Sequence, residues 1–172
     1  MLKKIHLKAI ALAVTGALLT PAAFAADKAP IRVGFLTIKS GALAAGGKQM
    51  EEAINLFMKE RNNTIAGRKV ELFVADTSGQ PAVTKTKTQE LVEKDKVQVI
   101  IGPLAAFEAI AVDDYIKKVG IPVISPSAGA EDLTQRKPNP WFVRGVGSSA
   151  QPSHALGEYA AKELKYKRIA II

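Results

Sequence analysis

The spacing of hydrophobic positions changes several times along this chain, and each change marks an element. Ile31 to Thr37 alternates and predicts a strand. The period then lengthens. Met50, Ala53, Ile54, Phe57 and Met58 fall on one face of a helix, which Asn62-Asn63 and Ile65-Ala66-Gly67 end. Alternation returns over Lys69 to Asp76, with Val70, Leu72 and Val74 on one face. Thr77-Ser78-Gly79 turns, Pro81 suits a first helical position, and the helix it opens is expected to reach about Lys94. The stretch Val97–Thr134 is the most informative. It reads as a strand (Val97 to Ile101), a Gly102-Pro103 turn, a helix from about Ala105 to Val119, a stop at Gly120, a second strand (Ile121 to Ile124) and a small loop from Ser125 to Gly129. Beyond it the pattern predicts one helical turn over Glu131–Gln135, a proline-rich turn to Pro140 and a short strand, Trp141–Arg144. A hinge at Gly145–Ser149, an amphipathic helix at Pro152–Leu164 and a final strand at Arg168–Ile172 complete it.

Alternating strands and helices predict an α/β fold: a three-layer, doubly wound parallel sheet with helices on both faces. The runs Val97–Ile101 and Ile121–Ile124 are apolar or nearly so throughout, as suits strands buried on both sides. Ligands of such sheets bind beyond the carboxyl ends of the strands. That rule selects three loops. In the first, Ser40 and Gly41 are the candidates; the loop reads as ligand-facing, with a plain structural turn as the alternative. In the second, Leu104, Ala105, Ala106 and Phe107 lead into a helix whose terminal amides favour an anion. In the third, Ser127, Ala128 and Gly129 offer hydroxyl and amide groups at the parallel position.

Composition and charge narrow the classes. Residues 1–25 read as a secretory signal, with Lys3, Lys4 and Lys8 as the basic start, an apolar run from Ala9 to Leu19, a break at Pro21 and cleavage after Ala25. The formal charge is +8; the three signal lysines account for three of these, leaving +5 on the remainder. Its cations are interspersed with acids, as in Glu93-Lys94-Asp95-Lys96, and aromatic residues make up only 6%. That argues for a solvated surface and against nucleic-acid binding. The chain has no cysteine, so neither a disulfide nor a lipid-modified cysteine is expected. It stops on the apolar run Arg168-Ile169-Ala170-Ile171-Ile172, which is expected to be an internal strand of a longer protein.

Catalysis is not expected. His154 is the only histidine after the signal, and no G-x-S-x-G elbow is present. A metal site would need clustered ligands, which are absent, so no metal and no cofactor is expected. Glu51-Glu52 and Asp113-Asp114 are sequence neighbours on helices and face different directions. Gly41 and Gly46 have the separation of a phosphate loop, but Gly47 and Lys48 stand where its lysine and hydroxyl belong. Trp141 reads as core or hinge packing, with a stacking platform as the alternative.

From Ile31 to Ile172 the chain resembles the extracellular solute-binding proteins of the leucine/isoleucine/valine-binding family, the type I periplasmic binding proteins. Ser40-Gly41 with Gly47 and Gln49, Val99-Ile100-Ile101-Gly102-Pro103 with Gly120-Ile121-Pro122, Ser125-Pro126-Ser127-Ala128 and Arg168-Ile169-Ala170-Ile171 carry the resemblance. It implies two α/β lobes that close over a ligand. Lobe one would occupy residues 26–145, and the crossover with the start of lobe two residues 146–172. It further implies a monomeric periplasmic receptor that captures a small carboxylate solute for the membrane permease of an ABC importer. The alternative is a ligand-sensing domain of a receptor or regulator with the same fold. In amino-acid-binding members, a serine and a threonine that hold the ligand match Ala106 and Gly129, and a covering aromatic matches Gly46. All three are missing. The expectation is therefore an aromatic acid, with amides near Ala106 and Ser127 on its carboxylate and Phe107 as an apolar wall.

Overall fold

The computed structural model describes residues 29–170. The proposed signal, residues 1–25, lies outside them. The sheet has six strands: β1 (Ile31–Thr37), β2 (Thr64–Ile65), β3 (Arg68–Asp76), β4 (Val99–Ile101), β5 (Val123–Ser125) and β6 (Phe142–Arg144). Four α-helices accompany them: α1 (Ala44–Glu60), α2 (Pro81–Gln89), α3 (Ala106–Val119) and α4 (Ala150–Lys162). Strand order is β2-β3-β1-β4-β5-β6, and every pairing is parallel except that of β2 with β3.

Register explains why both faces of the sheet are apolar. Leu36 pairs with Ala75, Ile100 with Val123, and Val123 with Phe142; these side chains share one face. There they pack with Leu91, Ala109, Val112 and Ile116 from the α2–α3 layer into the main core. On the opposite face Phe35 lies level with Val74 and Ile101, Ile101 with Ile124, and Ile124 with Val143. Only α1 covers this side among the described residues. Its Met50, Ala53, Ile54 and Phe57 border an apolar groove with Phe35, Ile101 and Pro126. Val74, Ile124 and Val143 remain exposed.

The structure departs from the predicted elements at four places. Thr64-Ile65, expected as part of a helix-ending loop, pairs with Arg68-Lys69 across a two-residue turn, where Ala66 (φ 50°) and Gly67 (φ 73°) are both left-handed. The helix from Pro81 continues past Gln89 only as one π-helical turn, Glu90–Lys94, with Asp95 N–H bonding Glu90 O at 3.0 Å. The amphipathic helix expected at Pro152–Leu164 forms as α4, but only Ala160 is buried, and Leu156 and Tyr159 are exposed. Arg168–Ala170 forms no strand. A strand needs a neighbour to bond, and the last strand of the described sheet, β6, pairs only with β5.

Candidate functional site

Three βα loops and the crossover after β6 meet at the carboxyl edge of the sheet. They enclose a cavity of about 420 Å³. The first loop contributes Ala42, Leu43 and Gly46, and the second Leu104, Ala105 and Ala106. Ser127 and Gly129 come from the third, and Ser149 from the crossover.

Local bonding places these groups. Gly102 has φ 106°, and a Cβ there would collide with the Leu36 carbonyl, so β4 turns toward α3 against the end of β1 only with glycine. The Gly102-Pro103 peptide is cis. Ser125 is fully buried and joins two loops: its Oγ donates to Pro103 O at 2.8 Å and accepts from Ala128 N at 2.9 Å. The crossover is fastened to the third loop by Gly145 N to Ser125 O and Ser149 N to Gly129 O, both 2.9 Å. Arg144 adds a bond from Nη1 to Ala130 O at 2.9 Å, and Ser148 one from Oγ to Glu131 Oε1 at 3.0 Å. On the other side, Asp76 ties the first loop to the turn after β3, accepting from Lys39 N at 2.9 Å and Ser78 N at 2.8 Å.

The nine candidates separate. Leu104, Ala105, Ala106, Ser127 and Gly129 stand in the cavity wall. Ser40 and Gly41 are exposed and precede the stretch of their loop that lines it. Ala128 belongs to the core at 0% exposure. Phe107, expected as an apolar wall, is exposed and outside the lining. Successive helical residues point about 100° apart, so the turn that aims Ala106 at the cavity carries Phe107 away from it. The expected amide near Ser127 also needs correction. Ser125 Oγ takes the Ala128 N–H and lies 3.4 Å from Ser127 N. Donors without a hydrogen-bond partner among the described residues include the amides of Ala106 and Phe107 and the hydroxyls of Ser127 and Ser149. No side chain in the wall is charged.

Sequence reasoning missed Ala42, Leu43 and Ser149. Ser149 follows the carboxyl end of β6, where the same rule holds, but that segment is expected only as a hinge. Leu104 approaches Gly46: a Cβ there would meet Leu104 Cδ2 at 3.4 Å, so leucine fills part of the space an aromatic at 46 would take.

Residues 30–172 match the family model described as periplasmic binding protein. The chain belongs to the periplasmic binding protein family. Among relatives, the Leu/Ile/Val-binding protein BraC3 of Rhizobium johnstonii is 31% identical over 162 residues, covering 92% of this chain and 44% of its own length. Among solved structures, an ABC-transporter solute-binding protein from Rhodopseudomonas palustris in complex with 3,4-dihydroxybenzoic acid is 35% identical, with a TM-score of 0.71 over 77% of this chain and 36% of that one. LivJ from Streptococcus pneumoniae, in complex with isoleucine, is 28% identical, also with a TM-score of 0.71, over 79% of this chain and 39% of that one. The chain thus spans less than half the length of these family members. Its matches in the family include both amino-acid and aromatic-acid binders.

Proposed function

We propose that the protein is the receptor of an ABC importer and captures a small aromatic carboxylate in the periplasm. The cavity at the sheet edge is its lobe-one half-site. Residues 26–145 would be lobe one, and the crossover and α4 would lead into lobe two. One observation carries the reading: the wall offers unpartnered donors and no charged side chain. Amides at the start of α3 and the Ser127 and Ser149 hydroxyls suit a carboxylate. The small side chain at Ala106 leaves room for a flat ring. The aromatic-acid complex of the Rhodopseudomonas palustris protein supports the same choice.

A thermal-shift screen of the full-length protein tests this, because a ligand that binds only the native state raises the melting temperature. The panel is benzoate, 4-hydroxybenzoate, 3,4-dihydroxybenzoate, leucine, isoleucine and valine. A rise with the aromatic acids alone is expected. A rise with leucine, isoleucine or valine alone would return the protein to the amino-acid binders that its relative BraC3 is named for.

A further inference from the structure

Glu108 is the one acid among the fully buried side chains of the described residues, at 0% exposure, and it sits in the first turn of α3 beneath the cavity wall. Its recorded partners are all uncharged. Oε2 accepts the Ala105 N–H at 3.0 Å. Oε1 accepts from the Thr77 hydroxyl and lies 3.2 Å from Thr84 Oγ1, whose single proton is shared with Gln80 O at 2.8 Å. Thr77 follows β3 and also bonds Thr37 O, through N at 2.9 Å and Oγ1 at 3.2 Å. Thr84 belongs to α2. One carboxylate therefore gathers the ends of β1 and β3, the first turns of α2 and the start of α3.

Capping alone does not require this arrangement. A serine at position 105 would cap α3 directly, without a buried acid. Ala105 cannot cap, and Glu108 reaches back to its N–H instead, as in half of a capping box. This bond occupies the Ala105 amide and leaves those of Ala106, in the cavity wall, and Phe107, the next residue of the helix, unpaired among the described residues. We propose that Glu108 is the positioning residue of the ligand site, setting the tilt of the first turn of α3 so that these two amides converge on the ligand carboxylate. The inference rests on the cavity being the ligand site and adds the residue that orders its donors.

The test is calorimetric titration of the full-length protein with 4-hydroxybenzoate and with leucine. Glu108→Ala is compared with Glu108→Gln and with Thr88→Val, a buried threonine whose hydroxyl bonds Thr84 O within α2 at 2.7 Å. Glu108→Ala is expected to raise the Kd of whichever probe binds about tenfold, the loss for a misplaced bond to a charged group. Glutamine can accept from Ala105 and donate to Thr77 Oγ1 while Thr77 donates to Thr37 O, so Glu108→Gln should stay within about twofold of the parent. Thr88→Val should lower the melting temperature and leave Kd unchanged. A folded Glu108→Ala protein with the parent Kd overturns the proposal, as does an equal rise in Kd for Thr88→Val. If Glu108→Ala does not fold, Thr77→Val removes one donor and takes its place. If the parent binds neither probe, the ligand reading itself has failed. Hydrogen exchange at the Ala105–Phe107 amides then decides the positioning role: faster exchange in Glu108→Ala but not in Thr88→Val supports it, and equal exchange overturns it.

Discussion

At the scale of single residues, the site depends on small side chains packed too closely to enlarge. A Cβ at Gly129 would collide with the Ser149 hydroxyl and stand 3.0 Å from Ser149 N. Gly129→Ala must therefore turn the Ser149 hydroxyl aside and press on its amide, at a cost of about 1–3 kcal/mol for overpacking. Urea unfolding should show that loss, and titration should show weaker ligand binding. Ser125→Ala removes a fully buried donor and leaves the Pro103 carbonyl and Ala128 amide unsatisfied. It should cost a similar 1–3 kcal/mol, about the penalty for orphaned buried groups, read from the urea midpoint. Phe107→Ala should change Kd by less than about twofold, because the ring is 45% exposed and outside the wall. A larger change would mean that the ring swings inward when ligand binds.

At the scale of elements, two loops at the same sheet edge are coupled through Asp76. Burial acts to raise its carboxyl pKa. The hydrogen bonds from Lys39 and Ser78 and the Lys39 charge outweigh that and hold it below the ordinary 3.8. A carboxyl depressed in the folded state adds stability above its unfolded pKa and loses it as pH falls through the folded value. The stability difference between the parent and Asp76→Asn should therefore be full well above 3.8, the ordinary value, and shrink as the pH falls below it. Urea midpoints at a series of pH values check this, and a constant difference would show that Asp76 acts through geometry alone. The helix pattern at α1 was legible because Met50, Ala53, Ile54 and Phe57 repeat at the helical period. How far that face would be covered was not: the groove beside it depends on which other elements reach this side of the sheet.

At the scale of the whole molecule, the crossover is the feature to watch. Gly145 and Ser149 bond the third loop directly and Ser148 bonds Glu131 just after it, so a ligand touching Ser127 or Ser149 also bears on the segment that leads to α4. We expect small-angle scattering of the full-length protein to show a smaller radius of gyration with saturating ligand. A radius unchanged by a ligand that binds would argue against closure of two lobes. Glu131→Ala removes the acceptor of the Ser148 hydroxyl and an ion pair with Arg136 at 3.3 Å. It should alter the ligand-induced change in radius more than it alters melting temperature.

Hydrophobic period by itself determined the strand–helix alternation, the parallel sheet and the edge at which a ligand would sit, because period and turn chemistry are local and strand–helix–strand units have one handedness. The loops around Gly102-Pro103 and Ser125–Gly129 were legible for that reason. Tertiary structure decided what local pattern cannot carry. It brought Ser149 to Gly129, buried Ala128, turned Phe107 outward and consumed the amides next to Ser125. It also placed the buried Glu108 among Thr77, Thr84 and Ala105. Each of these depends on the distance and angle between segments far apart in sequence, which packing sets only once the sheet and its helices have come together.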